Sequence, residues 1–148
     1  MDRDLPRTTF SRDELGFLAA ARVARLATAD AHGIPHIIPI VFAMDGLKLY
    51  TPIDAKPKRV APTELKRVRN LFINPRVAMV VDQYDEDWTR LAWVMVKGRG
   101  ALVEKGDVHA AGVRLLQSKY PQYKTMPLDD RPIIVVTPMA ITSWGAVQ

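Results

Sequence analysis

Apolar positions recur in two rhythms along the 148 residues. After an irregular arm over residues 1–10, Ser11-Arg-Asp-Glu14 has the form of a capping box and predicts a helix that turns Leu15, Leu18 and Ala19 inward and ends near Arg22. Val23 to Thr28 and Pro35 to Ala43 read as strands joined at Asp30-Ala-His-Gly33, a β-hairpin with a short loop. Asp45-Gly46 marks a second turn before Leu47 to Thr51, so three consecutive strands are expected as an antiparallel meander. Pro52 to Pro62, with three prolines among Lys56, Lys58 and Arg59, reads as a loop. Thr63 to Ile73 has helical spacing at Leu65, Val68 and Phe72, which predicts those three inward, and Asn74-Pro75 ends it.

Arg76 to Asp82 alternates as a fourth strand, and an acidic turn over Tyr84-Asp-Glu-Asp87 precedes the long run Leu91 to Glu104. Its period of two sorts Trp93, Met95, Lys97 and Arg99 to one face and Val94, Val96, Gly98 and Gly100 to the other. Two glycines on the interior face predict tight curvature, as at a barrel corner. Asp107 is expected as the N-cap of a helix that carries Val108, Ala111 and Leu115 inward and stops before Pro121, and Ile133 to Trp144 is the final strand. About six strands and three short helices without βαβ alternation predict a mainly β fold: a small six-stranded antiparallel barrel, one domain over residues 1–148. The run Pro35 to Ala43 is apolar on both faces, His36, Ile38, Ile40 and Phe42 against Ile37, Pro39, Val41 and Ala43. One barrel interior cannot bury both sets, so a partner surface is expected, most simply a homodimer.

The composition narrows the chemistry. At 48% hydrophobic and 25% charged residues the chain is ordinary globular material, and the absence of cysteine excludes disulfides, thiolate zinc sites and cysteine nucleophiles. No apolar run approaches the ~20 residues of a membrane-spanning helix, and the first residues carry no secretory signal pattern, so a cytoplasmic protein is expected. Gly-rich dinucleotide and phosphate loops are missing, and no serine sits in a nucleophile elbow.

Charge is concentrated. Against a net +5 for the whole chain, Lys56, Lys58, Arg59, Lys66, Arg67, Arg69 and Arg76 face Glu64 alone over residues 56–76, a net +6. Such density favours an anion site for phosphate or several carboxylates over a merely solvated helix face. Tyr50, Trp88 and Trp93 are candidates for stacking on a planar ligand, with core or interface filling as the other reading. The consecutive Asp85, Glu86 and Asp87 read as a solvated turn, and the three histidines have no metal-ligand spacing. His36, mid-strand, reads as a structural histidine ahead of a haem ligand. A sequence pI near 9.7 keeps a nucleic-acid-binding module as a lesser alternative, although the basic stretch lacks interleaved aromatics.

Arg25-Leu-Ala-Thr28, Gly33-Ile-Pro35 leading to Pro39-Ile-Val-Phe42, Asp45-Gly46 before Leu49-Tyr-Thr51, Lys56 to Arg59, Arg69-Asn-Leu and Asn74-Pro-Arg-Val-Ala78 together resemble the pyridoxamine-phosphate-oxidase-like split β-barrels that bind flavin or deazaflavin. Glu86-Asp-Trp88 with Trp93-Val-Met-Val-Lys-Gly98 is most similar to the actinobacterial branch that uses the deazaflavin coenzyme F-420. The resemblance implies a dimer with two cofactors in grooves between subunits. It implies Ile38 and Pro39 near the tricyclic ring, Tyr50, Thr51 and Pro52 along the polyol chain, and Lys56, Lys58 and Arg59 near the phosphate. It implies Trp88 and Trp93 bordering ring or substrate, across the dimer. The implied activity is hydride transfer between a deazaflavin and a small unsaturated or carbonyl-bearing molecule. FMN is the alternative cofactor, and a non-catalytic carrier the alternative role. Residues Ile141 to Gln148 hold no Arg or Lys, unlike the late basic residues with which vitamin B6 oxidases hold substrate phosphate.

Overall fold

The computed structural model describes residues 5–53 and 65–148. Among them run α1 (Arg12–Ala20), β1 (Ala24–Ala29), β2 (Pro35–Ile40), β3 (Ala43–Met44), β4 (Leu49–Pro52), α2 (Lys66–Ile73), β5 (Arg76–Gln83), β6 (Ala92–Val103), α3 (Asp107–Lys119) and β7 (Ile133–Gly145). All seven strands form one antiparallel sheet in the order β2-β1-β5-β6-β7-β4-β3. The two edge strands are consecutive in the chain, with only Val41 and Phe42 between them, so the sheet has to curl until its edges meet.

That curl corrects two expectations. The run Pro35 to Ala43 divides at Val41-Phe42 into β2 and β3, which makes seven strands where six were expected. The meander dissolves into two separate hairpins, β1–β2 and β3–β4, at opposite edges of the sheet. At the seam the Tyr120 hydroxyl accepts from the Phe42 N–H at 3.1 Å and lies 2.9 and 3.0 Å from the carbonyls of Phe42 and Arg22. A side chain there satisfies backbone groups that no neighbouring strand reaches.

The barrel interior is filled by Leu26, Phe42, Leu49, Met79, Val94, Val96, Val136 and Ile141, drawn from five strands and the seam. A second core lies under α3, where Tyr50, Ile133 and Val135 meet Val113 and Leu116. The capping box forms as read: Ser11 Oγ accepts from the Glu14 N–H, and the Glu14 carboxylate accepts from the Ser11 N–H at 2.8 Å. Glu14 is 2% exposed and also accepts from Arg7 Nη2 at 2.8 Å, while the Arg7 carbonyl accepts from Ile141 N–H. The Arg7 guanidinium, working against the cost of burial, holds the Glu14 carboxyl down at about 2.

The long strand needs its glycines for two reasons. At Gly98, opposite a β-bulge in β7, an added Cβ would collide with the Thr137 carbonyl oxygen. At Gly100 it would stand 2.8 Å from Leu71 Cδ2, because α2 crosses β6 there. Helix α2 turns Val68, Asn70 and Leu71 inward and leaves Phe72 66% exposed, contrary to the apolar spacing. Its phase is fixed by the buried Asn70, whose Nδ2 donates to Thr28 Oγ1 at 2.9 Å. In α3, Gly106 takes the N-cap position and Asp107 is the first helical residue, so the helix starts one place earlier than expected.

Candidate functional site

Strand β2 distributes its side chains by the period of two: His36, Ile38 and Ile40 turn toward the barrel, while Pro35, Ile37 and Pro39 stand on the exposed outer face. Ile38 packs on the interior core, so of the two residues expected at a ring it is Pro39 that the outer face presents. Across the sheet Pro39 is in register with Arg25, then Val80, Met95 and Thr142. One row further along, Asp82, Trp93 and Trp144 are neighbours. Trp93 is half-buried there, and Trp88 sits 71% exposed on a short turn before β6. That turn is self-contained, since Asp87 Oδ1 accepts from both the backbone and the hydroxyl of Thr89.

Tyr50 and Thr51 are only 3% and 2% exposed. The Tyr50 ring lies under α3 against Gly112, and its hydroxyl donates to Asp45 Oδ2 at 2.7 Å. Burial, reinforced by that carboxylate, pushes the Tyr50 hydroxyl well above the usual phenol range. Burial acts against Asp45 too, but the N–H groups of Lys48 and Leu47 and the Tyr50 hydroxyl outweigh it and hold the carboxyl low. Among the described residues, Thr51 and Pro52 are paired with β7 on one side and with no strand on the other. Lys56, Lys58 and Arg59 lie outside the described residues.

The expected site residues therefore fall into two sets. Tyr50 is in register with Val135 and Ala101, and from Ala101 to Trp93 is eight residues along β6, roughly 26 Å. Between the sets the outer face carries a groove of about 410 Å³. Its floor is backbone and the small side chains of Ala27, Ala29 and Ala78 with Gly98, and Pro35, Met139, Arg76 and Lys97 line its rim. Met139 reaches it as the extra residue of the bulge. The volume is within the ~300–1,000 Å³ usual for small-molecule sites, and a flat, apolar floor beside two cations suits a planar ring carrying an anionic group. No signal in the sequence named this groove, because its four small floor residues come from three strands.

Among the described residues no three His, Asp or Glu side chains are placed to hold a metal ion. His36 is half-buried on β2, His32 stands in an exposed turn, and His109 Nε2 donates to the Arg131 carbonyl at 2.7 Å. No helix among the described residues is long and apolar enough to cross a membrane.

Residues 13–145 match the family described as Pyridoxamine 5'-phosphate oxidase. Over 73 residues the chain is 36% identical to the 5a,11a-dehydrotetracycline/5a,11a-dehydrooxytetracycline reductase of Streptomyces rimosus, a match that spans 49% of each chain. In structure it is similar to the conserved hypothetical protein Rv2991 of Mycobacterium tuberculosis, with a TM-score of 0.73 and 19% identity over 98% of this chain and 89% of that one. A haem-binding protein of Mycobacterium smegmatis shares the fold at TM-score 0.72 and 18% identity, over 90% of this chain and 53% of that one. An F-420 reductase is similar at TM-score 0.60 and 28% identity, over 86% of this chain and 94% of that one.

Proposed function

Because the chain belongs to the pyridoxamine 5'-phosphate oxidase family, we propose that it is an oxidoreductase, acting as a homodimer with the deazaflavin coenzyme F-420 and a small unsaturated or carbonyl-bearing substrate. FMN is the alternative cofactor in the same place. The oxidase for which the family is named and the likenesses to a tetracycline-type reductase and an F-420 reductase support the reading of an oxidoreductase. The net +6 over residues 56–76 favours a cofactor with more anionic groups than FMN's single phosphate.

One observation carries the dimer. Trp93 and the row of Tyr50 are roughly 26 Å apart along β6, too far within a single chain for a ring beside the one and its directly attached polyol chain beside the other. A second copy laid on the outer face brings its Trp93 toward the first copy's β2 and β4. It also covers the exposed Ile37, Pro39 and Trp144 and the half-buried Val80 and Met95, which face outward between them. A bound deazaflavin supplies hydride donor and acceptor chemistry at a ring carbon. The chain's own part is to orient: Pro39 and the small-residue floor offer flat contact, the cations after β4 hold the anionic arm, and the partner's tryptophans exclude water.

The test is titration of purified protein with F-420 and with FMN, followed by absorbance, alongside light scattering. Micromolar F-420 affinity and twice the monomer mass are expected. K56A/K58A should lose at least tenfold in cofactor affinity, as charge-assisted hydrogen bonds of about 1.5–3 kcal/mol each require, while K124A binds as wild type. FMN binding without F-420 binding overturns the cofactor, and a clean monomer overturns the shared site.

A further inference from the structure

The outer face of the sheet divides into halves of different chemistry. On the apolar half the cation Arg25 is answered by Asp82, whose Oδ1 accepts from Arg25 Nη1 at 2.8 Å. On the other half the register sets cations side by side. Arg76 is directly opposite Arg99, and Arg99 is opposite Thr137. Lys48 immediately precedes Leu49, the partner of Val136, and so falls beside Thr137. Lys48, Thr137, Arg99 and Arg76 thus form one row across four neighbouring strands, with Lys97 two residues from Arg99 on the same face.

Like charges directly opposite in an antiparallel pair destabilise it. None of these four cations has a carboxylate partner among the described residues, although ion pairs form elsewhere on the surface. The row borders a groove of about 690 Å³ that Lys48, Arg99 and Lys105 line together with the first turn of α3. Asp107 is the one carboxylate in that lining. An unanswered cationic row beside a concavity costs stability unless something anionic occupies it.

We propose that this row and groove bind a small oligoanion, a ligand with two or more phosphate or carboxylate groups. From Arg76 to Lys48 is three inter-strand steps, about 14 Å, so anionic groups roughly 5–10 Å apart each meet a cation. Forked guanidiniums at Arg76 and Arg99 and a point charge at Lys48 suit oxyanions, and the Thr137 hydroxyl between them adds a donor. Single-stranded nucleic acid fits less well, because it uses stacking platforms beside its cations. Here Trp93 lies six residues along β6 from Arg99, about 20 Å away. Arg76 and Lys97 also rim the smaller groove offered to the cofactor ring, whereas Lys48, Arg99, Lys105 and Thr137 line the larger one alone, so ligands without a ring separate the two readings.

Calorimetry on the full chain tests this with tripolyphosphate, a tetraglutamate peptide and inorganic phosphate, none of which carries a ring. Wild type should bind one or both oligoanions at least tenfold more tightly than inorganic phosphate. A preference for tripolyphosphate identifies a polyphosphate ligand, and a preference for tetraglutamate an oligocarboxylate. R76Q/R99Q should lose at least tenfold in that affinity and show a shallower salt dependence, while K124Q matches wild type. The double variant should melt no lower than wild type, since both side chains are exposed and their mutual repulsion is gone. Binding unchanged in R76Q/R99Q, or absent in wild type at millimolar ligand, overturns the proposal. So does single-stranded DNA bound more tightly than either oligoanion.

Discussion

Replacing Glu14 by Gln keeps the side chain's shape and removes the charge at the most heavily buried carboxylate among the described residues. Its carboxyl is held at about 2 instead of the ordinary 4.5, first by the Arg7 guanidinium and further by Ser143 and the Ser11 N–H. At about 1.4 kcal/mol per tenfold change in proton affinity, that is worth roughly 3 kcal/mol. Arg7 is 42% exposed, and solvent screening of its charge brings the expectation to about 2 kcal/mol. For a domain of this size that corresponds to a melting temperature lower by about 4–8 °C at pH 7. The pH dependence fixes the cause. A carboxyl with a depressed folded value contributes fully above 4.5 and loses its contribution as pH falls toward 2. Thermal unfolding followed by circular dichroism at pH 7, 4.5 and 3 should therefore show the gap between wild type and E14Q shrinking to less than half by pH 3. A gap of equal size at pH 7 and pH 3, or none at pH 7, would refute the assignment of this stability to the charge.

In Gly112→Ala the new Cβ would stand 2.6 Å from both Tyr50 Cδ1 and Ile133 Cδ1, so overpacking beneath α3 should cost about 1–3 kcal/mol in urea unfolding. Lys119 lies 4.0 Å from the Phe42 ring centroid, and burial, with Arg22 adding repulsion, pulls its ammonium down to about 8. The unfolded chain then binds more protons than the folded one between about pH 8 and 10.5, so this group makes stability rise over that window. Wild type should gain in melting temperature relative to K119M from pH 8 to 10, and parallel curves would argue against it.

What the sequence disclosed was mostly local. The capping box needs four consecutive residues, and the turns at Asp30 to Gly33 and at Asp45-Gly46 need only a few, so these features were legible. The seam was not. Whether Pro35 to Ala43 stays one strand depends on where β1 and β4 lie, and the chain divides where Tyr120, 78 residues away, reaches Phe42. The phase of α2 was misread because apolar spacing cannot register a buried Asn70–Thr28 pair. For the candidate site, the alternation of β2 and β6 was legible and puts Pro39 and Trp93 on the outer face, but the groove on that face depends on register across three strands. Arg76 counted as the end of a basic segment, and only the sheet brings it to Arg99 and Lys48.

The strand order also sets a timetable for synthesis. β4, buried along its whole length in the finished barrel, has only the two-residue β3 beside it until Ile133 to Val136 leave the ribosome. That is some 80 residues of translation, or about 4–16 s at ~5–20 residues per second. Throughout that interval the nascent chain offers an apolar edge, Leu49 to Pro52, to any strand within reach. The step at greatest risk of misassembly is thus the wait for β7, and conditions that slow elongation between α2 and β7 should cost this protein yield before they cost it stability.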